Sequence, residues 1–151
     1  MRVLCAIILA AVILTALAPS PAHARFGVGL MVGEPTGFSF KWWQDGGTAV
    51  NAATGWSLGD GDFYVHGDYV WHRVIEDEKL GGSAPVYYGI GARLLLSDGK
   101  DSKVGVRIPL GVNYTFDNGR FDVFVEIAPI FNVIPKTDFD LSGGVGARFY
   151  F

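Results

Sequence analysis

The stretch "HGDYVWH" gathers two histidines and a carboxylate, His66, Asp68 and His72, within seven residues. Such side chains ligate metals, and beside a serine they can serve as the base and acid of a nucleophilic hydrolase. In an extended segment, at ~3.4 Å per residue, His66 and His72 stand roughly 20 Å apart, too far to share an ion. Ser39 or Ser142 with His66 and Asp68 would supply a serine, histidine and carboxylate set. These residues come from separate segments, and no hydrolase motif surrounds them. No catalytic, metal-binding or cofactor-binding residue is therefore assigned, and no cofactor is expected. The other candidates are charges set singly among apolar neighbours: Lys41, Arg93, Arg107 and Arg148, with Asp122 and Glu126.

What those charges can do depends on the elements that carry them, and the dominant pattern is period two. In "VGVRIPLGVNYTF" Val104, Val106, Ile108, Leu110, Val112, Tyr114 and Phe116 alternate with Gly105, Arg107, Pro109, Gly111, Asn113 and Thr115. Thirteen positions in phase would arise by chance roughly once in ten thousand trials, so this is a strand. After the hairpin signal "DNGR", Phe121, Val123, Val125, Ile127, Pro129 and Phe131 fall on one face and Asp122, Phe124, Glu126 and Asn132 on the other. The final strand opposes Leu141, Val145, Ala147, Phe149 and Phe151 to Ser142, Gly144, Gly146, Arg148 and Tyr150.

The same reading gives eight strands, near residues 25–32, 37–44, 48–58, 62–72, 85–96, 103–116, 120–131 and 141–151, with no helical periodicity between them. Turn signals join successive strands, and the longest connection is the acidic segment 73–84. An antiparallel meander of eight strands can close into an up-and-down barrel without free edges. The expected fold is therefore all-β, an eight-stranded transmembrane barrel, for the following reason.

One face carries Gly27, Gly29, Gly37, Gly55, Gly89, Gly91, Gly105, Gly111, Gly144 and Gly146, and the other carries most of the bulky apolar side chains. A small closed barrel has little internal volume and a large outside, so the glycine face belongs inside. The apolar face then points outward, and an outward face this apolar needs lipid. Lys41, His66, Asp68, Arg93, Arg107, Asp122, Glu126 and Arg148 consequently face the lumen. Shut in a narrow interior they must pair or stay hydrated. An ion-pair network that fills the barrel, a narrow water-filled path and a small-ligand site are all open. Simple hairpin registers set Gly29 opposite Lys41, Gly55 opposite His66 and Gly111 opposite Glu126, so that missing side chains make room for long ones.

Outward aromatics sort toward strand ends. Trp42, Trp71, Tyr88, Tyr114, Phe116, Phe121, Phe149 and Phe151 fall near the rim that carries the chain ends, and Phe38, Trp56, Phe63 and Phe131 near the other. Two such girdles are expected at the two interfaces of a membrane.

Ahead of this domain, Met1 and Arg2 lead into the apolar run "VLCAIILAAVILTALA", which ends at "PSPAHA". A positive start, a short apolar core and a small-x-small close read as a secretory signal peptide over residues 1–24, leaving a barrel domain at 25–151. That remainder of 127 residues has room for one domain and contains no cysteine, so it is stabilised without disulfides. Without Arg2 it carries 11 Lys and Arg against 15 Asp and Glu, a charge of −4 with no basic block, which argues against nucleic acid as a partner.

With its terminal "GGVGARFYF", the chain resembles the small outer-membrane barrels of Gram-negative bacteria, the group that includes the OmpA transmembrane domain and OmpX. The resemblance implies residence in the outer membrane as a monomer, contact with outer-membrane lipid, and recognition of Phe149 and Phe151 by the barrel-insertion machinery as an assembly signal. It implies an architecture rather than an activity, since such barrels serve as receptors, enzymes, anchors and plugs. The expected role is structural or interactive, with a narrow pore or small-ligand binder as the alternative and a lipid A-modifying enzyme behind it. One departure from the pattern is that the longest connection, 73–84, falls on the periplasmic side, where such barrels usually have short turns. Deleting Phe151 should lower the amount of assembled protein in cells more than it lowers stability in detergent. Unchanged membrane levels of the deletion protein in a Gram-negative host would count against the assembly role.

Overall fold

The computed structural model describes residues 26–44, 46–77, 82–116 and 120–151. The expected signal peptide and the "DNG" of the hairpin signal lie outside the described residues. Nine strands follow one another: β1 (Phe26–Gly33), β2 (Thr36–Trp43), β3 (Thr48–Trp56), β4 (Phe63–Asp77), β5 (Gly82–Leu96), β6 (Lys103–Arg107), β7 (Leu110–Thr115), β8 (Phe121–Ile134) and β9 (Asp138–Tyr150). Each pairs antiparallel with its neighbours, and β1 pairs with β9 from Gly27↔Tyr150 to Gly33↔Gly144, which closes the sheet into a barrel. All paired backbone groups are thereby satisfied within one ring, and no edge runs along the barrel wall.

β6 and β7 form one stave of eight, interrupted at Ile108 and Pro109. Proline has no N–H to give to a ladder. Pairing nevertheless continues through the break, because Ile108 N donates to Pro129 O at 3.0 Å and Gly89 N to Pro109 O at 3.0 Å. The faces stay in phase across it, with Arg107 and Asn113 buried and Ile108 and Leu110 exposed. Eight strands were expected, and eight staves are present.

Two connections differ from expectation. The segment 73–84 is largely strand, because β4 and β5 remain paired from Arg73↔Val86 down to Asp77↔Gly82. β3 stops opposite Trp71, and β7 reaches β5 only from Val86 onward. The end of this hairpin, beyond the Arg73↔Val86 pair, is thus a two-stranded ribbon, and residues 74–77 of β4 extend it by ~14 Å. Alternation missed it because a ribbon clear of the barrel wall needs backbone pairing but no apolar face. At the opposite end, β8 runs to Ile134 and β9 begins at Asp138, which shortens the connection there to 135–137.

The registers correct two of the three expected pairs. Lys41 faces Gly27, Gly29 faces Ser39, His66 faces Ala53 and Gly55 faces Tyr64, whereas Gly111 does face Glu126. The hairpin turns are centred one residue earlier than assumed, and in an antiparallel pair that moves the partner by two. Sidedness survives such a shift, since the side-chain period is also two.

Three of the inward glycines make room for aromatic rings, whereas Gly29, Gly37, Gly55 and Gly89 lie against backbone carbonyls of the adjacent strand. A Cβ on Gly27 would lie 2.6 Å from the ring of Tyr150, its partner on β9, and one on Gly146 would lie 2.6 Å from the ring of Phe124, its partner on β8. The ring of Tyr87 covers its partner Gly111 in the same way. Apolar packing in the lumen is otherwise slight: Met31, Ala53 and Phe124 form one cluster, and Ala49, Val70 and Tyr87 with Trp43 another. Gly146→Val should displace Phe124 and lower the unfolding free energy by ~1–3 kcal/mol. Gly59→Ala, whose added carbon meets nothing within 4 Å, should leave it unchanged. Urea unfolding of the two variants in lipid checks the contrast.

Candidate functional site

The lumen is where this sheet gathers its buried titratable groups, because period-two alternation sends each of them to the same side. The structure places Lys41, His66, Asp68, Arg93, Arg107, Asp122, Glu126 and Arg148 all in the buried class. They form three tiers between two mouths. The near mouth is where Phe26 and Phe151 meet, Phe151 N donating to Phe26 O at 3.0 Å. The far mouth is the opposite end.

At mid-height Arg107 of β6, fully buried, donates through Nη1 to Asp68 Oδ2 of β4 and through Nη2 to Glu126 Oε1 of β8. Tyr87 Oη donates to the second Glu126 oxygen at 2.7 Å. His66 Nε2 stands 3.5 Å from Asp68 Oδ2. His66, Asp68 and Glu126 each turn a possible ligand atom inward within 4.8 Å of the others. Arg107 occupies both carboxylates of that set, so an entering cation would have to displace a guanidinium.

Toward the near mouth, Arg148 of β9 grips Asp122 of β8 with two hydrogen bonds, Nε to Oδ1 at 3.1 Å and Nη2 to Oδ2 at 3.2 Å. Tyr150 Oη adds a third to Asp122 at 2.6 Å, and the guanidinium lies 4.0 Å from the centroid of Phe124. Lys41 Nζ contacts His72 Nε2 at 2.7 Å and sits 4.4 Å and 5.1 Å from the rings of Trp43 and Tyr87. Toward the far mouth, Arg93 donates to Asn132 Oδ1 at 2.5 Å and Asp140 Oδ2 at 2.6 Å, and Lys103 pairs with Asp138 at 3.1 Å and Asp140 at 3.5 Å.

Asp140 went unread because the last strand was expected to start after it. Lys103, Tyr64 and Tyr87 share the inward parity of residues already placed in the lumen, which was the available signal. Asp140 joins Asp68, Asp122 and Glu126 as an inward carboxylate, and Lys103 and Asp138 add one charge of each sign at the far mouth. His72 belongs to the near mouth with Lys41. Ser142 Oγ accepts from Tyr64 Oη at 3.3 Å and donates to Ala128 O at 3.4 Å, which uses the hydroxyl hydrogen a nucleophile would surrender. Ser39 is buried.

Outside, all twelve aromatics expected in girdles lie on the outer face, Tyr114 half-buried and the others exposed. They meet at strand ends: Trp71 with Tyr88, Phe116 with Phe121 and Phe149 with Phe151 near one mouth, and Trp56 with Phe63 near the other. Phe139, read as part of a connection, packs on Phe131 at 5.4 Å between centroids in the far ring.

No family model matches the chain, and no curated protein matches it. Among solved structures it is similar to the crystal structure of the N-terminal β-barrel domain of Pseudomonas aeruginosa OprF, with a TM-score of 0.54 and 12% identity over 85% of this chain and 96% of that one. The fold is that of the OprF barrel. At this identity the likeness extends to the fold alone.

Glu126 is the residue on which the middle tier turns, because it neutralises Arg107 and accepts from Tyr87. Glu126→Gln should lower stability by about 3–5 kcal/mol, the range for breaking a buried ion pair on one side. Unfolding midpoints in lipid check it.

Proposed function

We infer that the chain is a monomeric integral barrel of the bacterial outer membrane, its lumen closed by side chains, with a structural or interaction role and no catalytic step. The observation that carries this reading is an inverted distribution of polarity. Arg107 is 0% and Arg148 1% exposed inside the barrel, whereas Leu30 is 61% and Leu141 66% exposed outside it. Water would penalise that outer face along its whole length, and lipid removes the penalty. The two ends of the face carry aromatic clusters, as membrane interfaces favour. The OmpA-like architecture supports placement in the outer membrane, with the leader expected at residues 1–24 providing export and the barrel-insertion machinery acting on the terminal strand.

A closed lumen is supported by the three tiers of ion pairs and by the narrowness of an eight-stave barrel, whose interior is just wide enough for side chains to fill. A second reading, a narrow hydrated path, rests on buried polar atoms without a protein partner. Among them are Asn51 Oδ1, both amide atoms of Asn113, His66 Nδ1 and Asp68 Oδ1. Such atoms call for water. Planar bilayers separate the two, since a steady single-channel current from the wild-type barrel would replace the closed reading with the hydrated one.

The orientation is tested at Ile108. Ile108→Arg should cost ~2–4 kcal/mol in lipid if the position lies near the midplane. A negligible effect, or a spin label there that reports water, would overturn the assignment of inside and outside.

A further inference from the structure

His72 stands where β4 leaves the barrel wall. Its predecessor Trp71 is the last β4 residue with a partner on β3, and the ribbon begins just beyond Arg73. Three contacts fasten His72 at this root. Its backbone N donates to Gly47 O at 2.7 Å, its ring Nδ1 lies 3.3 Å from the same oxygen, and its Nε2 lies 2.7 Å from Lys41 Nζ. A carbonyl can only accept, so the hydrogen resides on Nδ1 and Nε2 is the acceptor for Lys41. The geometry therefore specifies one tautomer of the neutral imidazole.

Among the described residues, the surroundings give a second proton no compensation. Trp43 packs against the ring at a tilt, 4.2 Å between centroids, and Tyr87 of β5 does so at 5.4 Å. Among the described residues, the charged groups it faces are Lys41 of β2 and, further off, Arg148 of β9, both cationic. The carboxylates of this end, Asp122 and Glu126 of β8, act on Lys41 and are already bonded to Arg148 and Tyr150, and to Arg107 and Tyr87. Lys41 and His72 thus hold one positive charge between them, steadied by the faces of Trp43 and Tyr87.

We propose that the Lys41–His72 contact is a proton-sensitive latch that closes the near mouth and holds the root of the β4–β5 ribbon at neutral pH. Protonation of His72 at Nε2 removes the acceptor and sets an imidazolium against an ammonium, so the closed arrangement excludes the proton. Once His72 swings into water it is an ordinary imidazole that titrates near about 6.5. The ratio of open to closed states must then rise tenfold for each pH unit below about 6.5, because only the open state binds the proton. In sign, closure is complete above that pH and is lost as pH falls.

The latch rests on the closed-barrel reading, so folding into lipid is scored separately by circular dichroism. The experiment uses the barrel in lipid nanodiscs with nitrogen-labelled histidine and lysine. At pH about 8 the His72 signals should be those of the Nδ1–H tautomer. Below pH about 6.5 the exposure of Lys41 and Tyr87 to a soluble paramagnetic agent should grow about tenfold per unit. In His72→Gln the amide can accept from Lys41 and donate to Gly47 without titrating, so its exposure should stay flat with pH. A folded wild-type barrel with unchanged exposure down to pH about 4 overturns the latch. So does a Gln variant that opens as the wild type does, which would assign the titration to Asp122 or Glu126. A chain that fails to fold in lipid overturns the barrel reading itself.

Discussion

The structure depends on holding Arg107 out of water. A guanidinium keeps its charge under all ordinary conditions, and a fully buried one is tolerable only if carboxylates and hydrogen bonds replace its hydration. Asp68 and Glu126 reach it from β4 and β8, which flank β5 and β6 in one arc of the wall, so the ion pairs tie staves that are not all hydrogen-bonded to one another. Two carboxylates on one guanidinium leave an excess negative charge at mid-height. That excess accounts for Lys41, a buried cation whose own contacts are an imidazole and two aromatic faces. Tyr87 relates the two, as its hydroxyl donates to Glu126 while its ring lies against the ammonium. The middle tier and the near mouth are therefore parts of one charge balance.

Glycine provides the space for this arrangement. An eight-stave barrel cannot accept a large side chain at every inward position. Wherever an inward ring is large, its direct partner is often hydrogen: Gly27 under Tyr150, Gly146 under Phe124 and Gly111 under Tyr87. Each of those rings then serves a charge, Tyr150 at Asp122, Phe124 at Arg148, and Tyr87 at Glu126 and Lys41. Small and large residues alternate across the staves because the rings that orient the charges need the volume that glycines vacate.

Sidedness was legible in the sequence because it depends only on parity. The runs 104–116 and 121–131 state it residue by residue, and a turn misjudged by one residue does not disturb it. Register was less legible for the same reason: Gly27 and Gly29 have equal parity, so alternation alone cannot choose which of them faces Lys41. The ribbon was illegible because a strand clear of the barrel wall needs no hydrophobic alternation, whereas the start of β9 was missed although Asp138, Phe139, Asp140 and Leu141 do alternate, because "VIPKTDF" reads as a connection. Asp138 and Asp140, the carboxylates of the far mouth, were lost with that strand start. The break at Pro109 was visible as a proline, yet the continuity of its stave depends on carbonyls and amides of β5 and β8 that no local pattern encodes.

The charges at the two mouths are held by different physics. At the far mouth Arg93, Lys103, Asp138 and Asp140 form a ladder in which the lysine and both carboxylates are about one-third exposed. Pairs with that much access to water are screened by salt and contribute little each. At the near mouth Lys41 is fully buried and His72 lies between two rings, so screening is weak and each charge has a large local effect. A change of salt therefore acts mainly on the far mouth, and a change of protonation mainly on the near one. The ribbon rises from the near mouth, which puts the projecting element of this barrel on the side where a single proton has the most influence.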